Sequence, residues 1–249
     1  MKFFTAMVLC LFSFVSQAAE NNTGGISLGA TRVIFVSDKS SAGLTVNNSS
    51  KKDTWLIRAW MAPYKTGKNA ADTRKVPFII TPPLYRINPD EQLQLRINGT
   101  DIASLPADRE SVFTVNVLAI PPKTQLKQDG QKKAANELSG GTLQFAINNQ
   151  IKLFYRPAAL NETATLEKAR GQLKVTRKAG SIDVSNPGPY YFTLVNVRVN
   201  GADLRDESGR DLMVAPFSSL SISVPDAKSL EYQTINDFGA NTAVVKTVF

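Results

Sequence analysis

The chain has 249 residues, 43% of them hydrophobic, a formal charge of +8, a single cysteine (Cys10) and no histidine. That length and apolar content support one large or two ordinary packed domains and argue against global disorder. The missing histidine removes Ser-His-Asp and Cys-His catalysis and most zinc sites, and the lone cysteine removes a disulfide framework.

The N-terminus reads as an export signal. Lys2 is a positive start, Phe3 to Val15 an apolar run too short to span a bilayer, and Ser16-Gln17-Ala18 a small-residue end. Cleavage is expected near Ala18 and Ala19, leaving a soluble exported chain of charge +7 without Lys2. No basic–aromatic interleaving points to nucleic acid, and no later stretch is long and apolar enough for membrane insertion.

Strands then follow in order. Ile26 to Val36 reads as one edge-like strand carrying Arg32, and Gly43 to Asn47 as a short alternating one. Thr54 to Trp60 is rich in aromatic and β-branched residues. Tyr64 to Lys75 is a polar loop. Phe78 to Ile87 is apolar but broken by Pro82-Pro83, which implies an edge, a bulge or a cis bond. Gln92 to Ile97 alternates cleanly, and Ser111 to Ile120 is a strand stopped by Pro121-Pro122. Lys123 to Gly141, rich in Lys, Gln, Asn and Gly, reads as a long loop.

Gly141 to Pro157 is one long strand with two different halves. In the first, Leu143, Phe145 and Ile147 are apolar and Thr142, Gln144, Ala146 and Asn148 small or polar, the period of a half-buried strand. In the second, Ile151 to Tyr155 is apolar on both faces except for Lys152, a core segment holding one awkward cation. The second half is expected to anchor a sandwich while the first offers its stripe elsewhere.

After a linker near Pro157 to Glu167, in which Ala164 to Arg170 has the makings of a turn but no sustained helical period, short strands return. They are Leu173 to Val175, Ser181 to Val184, Tyr190 to Val199, Asp211 to Val214, Leu220 to Val224, Tyr232 to Ile235 and Ala243 to Phe249. Two successive sets of short strands predict an all-β chain of two immunoglobulin-like β-sandwiches. The expected division is 1–18 signal, 19–157 first domain and 158–249 second domain, with the loop at 123–141 and the long strand at 142–156.

Read alone, the charged candidates are ordinary. Arg32 is a solvated strand residue, Lys152 a better-placed cation, and Glu110, Arg156 and Asp237 surface charges too far apart in sequence to pair by spacing. The Leu143–Phe145–Ile147 stripe is ordinary core. An enzyme would have to work with carboxylates such as Asp90, Asp101 and Glu110, which carry no pairing signal. No phosphate loop or metal-ligand cluster appears, so no cofactor is expected.

TRVIF at 31–35, TPP at 81–83, DRESVF at 108–113, IPP at 120–122, IKLFYRP at 151–157, NPGPYYFTL at 186–194 and INDFGA at 235–240 occur in this order behind a signal. Together they resemble the periplasmic chaperones of the chaperone–usher pilus pathway, the PapD-like family, over essentially the whole exported chain. The resemblance implies two immunoglobulin-like domains set in an L or boomerang, and a non-enzymatic, cofactor-free role. The chaperone lends its strand to pilus subunits that lack one, caps them, and delivers them to an outer-membrane usher; such donor-strand complementation is a recognised form of strand addition.

The resemblance assigns Leu143, Phe145 and Ile147 as donor residues, whose burial would contribute roughly 5–9 kcal/mol before ordering costs. It assigns Arg32 and Lys152 to the subunit's C-terminal carboxylate, at about 1.5–3 kcal/mol for each charge-assisted bond. Glu110, Arg156 and Asp237 become a charged cluster between the domains. A free chaperone would have reason to hide its stripe in a self-capping dimer. The long segment before Ile151 fits one branch of the family and the missing cysteine pair another, so the branch stays open. The rival reading is a secreted two-domain β-sandwich adhesin or fibre component.

Overall fold

The computed structural model describes residues 24–64, 76–122, 145–204 and 211–249. The signal at 1–18, the loop at 123–141 and the donor candidate Leu143 lie outside the described residues. The described chain is mostly strand and forms two β-sandwiches.

The first sandwich contains β1 (Ile26–Leu28), β2 (Arg32–Val36), β3 (Ser41–Asn48), β4 (Trp55–Pro63), β5 (Phe78–Thr81), β6 (Leu84–Ile87), β7 (Gln92–Gly99), β8 (Ser111–Ile120) and β9 (Ile147–Arg156). One sheet runs β1-β3-β7-β5 and the other β2-β9-β8-β4-β6. Alternation decides which side chains face inward: Val33 and Phe35, Leu44 and Val46, Val115 and Val117, Leu153 and Tyr155 meet in one buried core. Phe78 sits edge-on to Phe35 and to Phe113, each at 5.1 Å.

The expected single strand Ile26 to Val36 is two strands. It breaks at Gly29, whose N–H donates to the Thr45 carbonyl at 2.9 Å. A Cβ at Gly29 would meet the Thr45 Cβ at 3.2 Å, so glycine lets the chain cross closely there. β1 pairs antiparallel with β3 in one sheet; β2 pairs parallel with β9 in the other. The Pro82–Pro83 interruption divides β5 from β6, and the Thr81–Pro82 bond is cis.

The second sandwich contains β10 (Lys174–Lys178), β11 (Ser181–Asn186), β12 (Phe192–Val199), β13 (Ala202–Asp203), β14 (Met213–Val214), β15 (Ser218–Ser223), β16 (Ser229–Thr234) and β17 (Val245–Val248). Its sheets run β10-β11-β15 and β13-β12-β16-β17, with β14 on β12. The linker carries a helix that the sequence reading missed, α1 (Thr163–Gly171). Only Leu166 and Ala169 of α1 are buried, against Tyr190 and Phe192, so its apolar face is too narrow to register as a helical period.

Each sandwich closes on a buried asparagine. Asn48 donates to the carbonyls of Asp53 and Asn88, both at 2.8 Å, and accepts from the Ser50 N–H at 3.1 Å. Asn186 donates to the carbonyls of Tyr190 and Ala215 and accepts from the Gly188 N–H. Asn48→Ala leaves two carbonyls without that donor and should cost about 1–3 kcal/mol. Urea denaturation checks this, with a lower midpoint and an unchanged slope as the expected result.

Candidate functional site: an open strand edge and its cleft

The site is built on β9. Its odd residues Leu153 and Tyr155 face the first core, so its even residues Lys152, Phe154 and Arg156 face outward. The outward face is also covered, because Phe154 packs on Tyr191 of the second sandwich with ring centroids 5.9 Å apart. Two different partners therefore explain why this stretch is apolar on both faces.

β9 has strands on both sides over only half its length. β8 pairs with it from Ile147 to Tyr155, whereas β2 covers only Lys152 to Arg156. From Ile147 to Ile151 the edge on the β2 side has no strand partner among the described residues. The inward-facing parity continues along this open part. Ile151 packs partly against the first core, Ile147 is 58% exposed, and beyond the strand Phe145 is 69% exposed. Among the described residues the ladder begins at Ile147, Phe145 and Ala146 having no ladder partner, and the expected start at 142 lies outside them.

Where β2 begins, two cations stand side by side. Arg32 and Lys152 are register partners in the parallel ladder. Arg32 lies 5.6 Å over the Phe154 ring, and its Nη1 makes one long hydrogen bond, 3.4 Å, to the Ile235 carbonyl. Its Nε is buried without a hydrogen-bond partner, and no carboxylate among the described residues lies within ion-pairing distance. Burial pulls the Arg32 guanidinium below its usual value, against the opposing pull of Asp237.

Lys152 has a different setting. Its Nζ is 2.8 Å from Asp211 Oδ2 and 5.7 Å from the Tyr64 ring centroid. The Tyr64 hydroxyl donates to the same Asp211 oxygen at 2.7 Å. Burial alone would raise the Asp211 carboxyl, but these two donors hold it below the usual carboxylate range. Burial, and then the bond to Asp211, push the Tyr64 hydroxyl well up. A cleft of about 540 Å³ opens here, lined by Trp60, Tyr64, Asn116, Gln150, Lys152 and Asp211. Sequence reasoning missed Asp211 and Tyr64, because nothing in their spacing ties them to Lys152.

Glu110, Arg156 and Asp237 form one network at the other end of β9. Arg156 Nε donates to Glu110 Oε1 at 2.7 Å, while Nη1 and Nη2 hold Asp237 in a fork at 2.7 and 2.9 Å. Glu110 Oε2 accepts from the Tyr191 N–H at 2.8 Å, and the Glu110 N–H donates to the Pro189 carbonyl at 2.9 Å. Arg156 is 4% exposed and Glu110 3%. Burial opposes charge on Arg156, but the two carboxylates win and hold it protonated. Burial pushes the Glu110 carboxyl up, against the pull of Arg156 and the Tyr191 N–H. The network ties the first sandwich to Tyr191 and Asp237 of the second.

Among the described residues no cluster of carboxylates, Cys or His could hold a metal ion, and no helix is long and apolar enough to cross a membrane.

Comparison with known proteins places this geometry. The family model described as pili and flagellar-assembly chaperone, PapD N-terminal domain, matches residues 25–161. The pili assembly chaperone PapD C-terminal domain matches residues 168–245. The chain is 37% identical over 246 residues to the probable fimbrial chaperone LpfB of Escherichia coli O157:H7, covering 97% of this chain and 94% of the relative. It is 35% identical over 234 residues to the chaperone protein FimC of Escherichia coli strain K12, covering 93% and 88%. Among solved structures it resembles the periplasmic chaperone SfaE, with a TM-score of 0.68 and 33% identity over 90% of this chain and 99% of that one. It also resembles a chain from the Salmonella enterica SafA pilin in complex with the SafB chaperone, with a TM-score of 0.72 and 30% identity over 90% and 96%.

Proposed function

The chain belongs to the PapD family of pilus-assembly chaperones, and on that premise we propose how it holds a pilus subunit. The guest chain lies along the open edge of β9 from Ile147 to Ile151. Its backbone completes the missing ladder, and the exposed Phe145 and Ile147, with Leu143 two positions earlier in the sequence pattern, fill the guest's apolar slot. The guest's C-terminal carboxylate sits on Arg32 and Lys152. A chain end is a charge fixed at one position, so it sets the register, and a one-residue slip would turn the wrong side chains inward.

The observation that carries this reading is the coincidence of two features. The edge of β9 is open up to where β2 begins, and the first paired residues there are the two cations. Arg32 brings a buried guanidinium nitrogen that lacks an acceptor, which a docked carboxylate would satisfy.

The remaining roles follow from the family. The protein acts stoichiometrically, without turnover, in the periplasm after removal of a signal near Ala18, and passes its guest to an outer-membrane usher. The Glu110–Arg156–Asp237 network fixes the setting of the two sandwiches that form the cleft. A two-domain adhesin is less favoured, because it would have no use for an unfinished strand beside a cation pair.

Purification from a periplasmic extract tests the reading, the expected result being a one-to-one complex with a pilus subunit. Arg32→Ala should lower subunit recovery by about tenfold or more, the worth of one charge-assisted bond. Equal recovery by the variant and the wild type would sink the assignment of the cleft.

A further inference from the structure

Lys152 is not free in the unladen chain. Asp211, just before β14 in the second sandwich, places Oδ2 2.8 Å from its ammonium and takes a second hydrogen bond, 2.7 Å, from Tyr64. Arg32, beside it in the ladder, has no such acid among the described residues. One cation of the pair is thus already engaged by a carboxylate of the chain itself, and the other is not.

We propose that Asp211 is a built-in competitor for the guest's terminal carboxylate, occupying Lys152 in the unladen chaperone and giving it up on capture. This rests on the reading of Arg32 and Lys152 as the carboxylate site. The geometry suits an exchange. The Lys152 side chain is mostly buried at 20% exposure, whereas Asp211 is half exposed at 50%. Asp211 can therefore swing into water at small cost, while Lys152 would be left in a poorly hydrated cleft unless another anion replaced it. Capture trades one ion pair for another at Lys152 and adds a new one at Arg32. The net gain at Lys152 is small, so the grip on the guest is weaker than two vacant cations would give. A weaker grip suits a protein that must later surrender its guest.

The test uses a fluorescent synthetic strand peptide of alternating valine and threonine, with a free C-terminal carboxylate or as the C-terminal amide. The full exported chain is compared with Asp211→Asn, which keeps the shape and removes the charge; its melt should stay cooperative, at a lower midpoint because Lys152 loses its anion. Asp211→Asn should bind the free-acid peptide about two- to fivefold tighter, the range of a partly exposed ion pair, with no gain for the amide. Adding Lys152→Ala to Asp211→Asn should abolish the gain.

Unchanged or weaker binding by Asp211→Asn, with the wild type still preferring acid over amide, overturns the competition and leaves Asp211 as a support that orients Lys152. An equal gain for acid and amide also overturns it, since relief of crowding would then be the cause. A wild type that binds acid and amide alike overturns the carboxylate site itself, and this proposal with it.

Discussion

Arg156→Ala is expected to destabilise the chain by about 3–5 kcal/mol, the usual cost of stripping one partner from a buried ion pair. The loss centres on Glu110. Asp237 is 30% exposed at its side chain and can rehydrate, whereas the Glu110 side chain is 2% exposed. Without Arg156, Glu110 keeps only the Tyr191 N–H. Its carboxyl, already pushed up by burial, should rise further once its cation is gone.

The sign of the pH dependence follows. Between the unfolded value, about 4, and the raised folded value, the folded variant binds more protons than the unfolded chain. Its stability therefore falls as pH rises through that window. Urea denaturation at about pH 5 and pH 8 should show the larger deficit at the higher pH. Replacing both partners with apolar residues, as Glu110→Leu with Arg156→Met, should recover much of the loss. Small-angle scattering should also show a looser setting of the two sandwiches. Arg156→Ala with wild-type stability at both pH values and unchanged scattering would mean the network neither bears on folding nor joins the sandwiches.

What the sequence discloses here depends on whether a feature is local. The alternation at Ile147 and Asn148 and the apolar pair of faces around Lys152 are local, and the ladder reproduces their parity in β9. The split of 26–36 is not local. Arg32 to Val36 would suit either sheet, and what decides is the close passage of Gly29 against Thr45 on β3. Helix α1 escaped notice because two buried residues in nine make no period. The ion pairs are less legible still. Arg156 lies 46 residues from Glu110 and 81 from Asp237, so only the resemblance to a family brought them together beforehand. Asp211 belonged to no motif, and only the packing of the second sandwich against the β9 face brings it to Lys152.

Ile147→Asp should separate capture from folding. Ile147 is 58% exposed and among the described residues pairs only with β8, through backbone that aspartate also supplies. The unfolding free energy from urea denaturation should therefore stay within about 0.5 kcal/mol of the wild type, as for other surface changes. Capture should suffer far more. A guest that covers this position loses about 1.5–3 kcal/mol of apolar burial. It must also bury a carboxylate with no partner, which costs at least as much again. Subunit recovery should fall by about a hundredfold or more. Phe145→Asp should act in the same direction, and the double variant should fall short of the product because the two side chains enter one slot. If the free chaperone hides its stripe against a second copy, Ile147→Asp should also shift its sedimentation to the monomer. Two results would count against the reading. Loss of a cooperative melt would make the stripe internal core, and full subunit recovery would mean that the guest does not use this face of β9. Arg156→Ala is expected to lose stability, whereas Ile147→Asp is expected to keep it and lose the guest. That contrast follows from a single strand, anchored between two sandwiches at one end and open along one edge at the other.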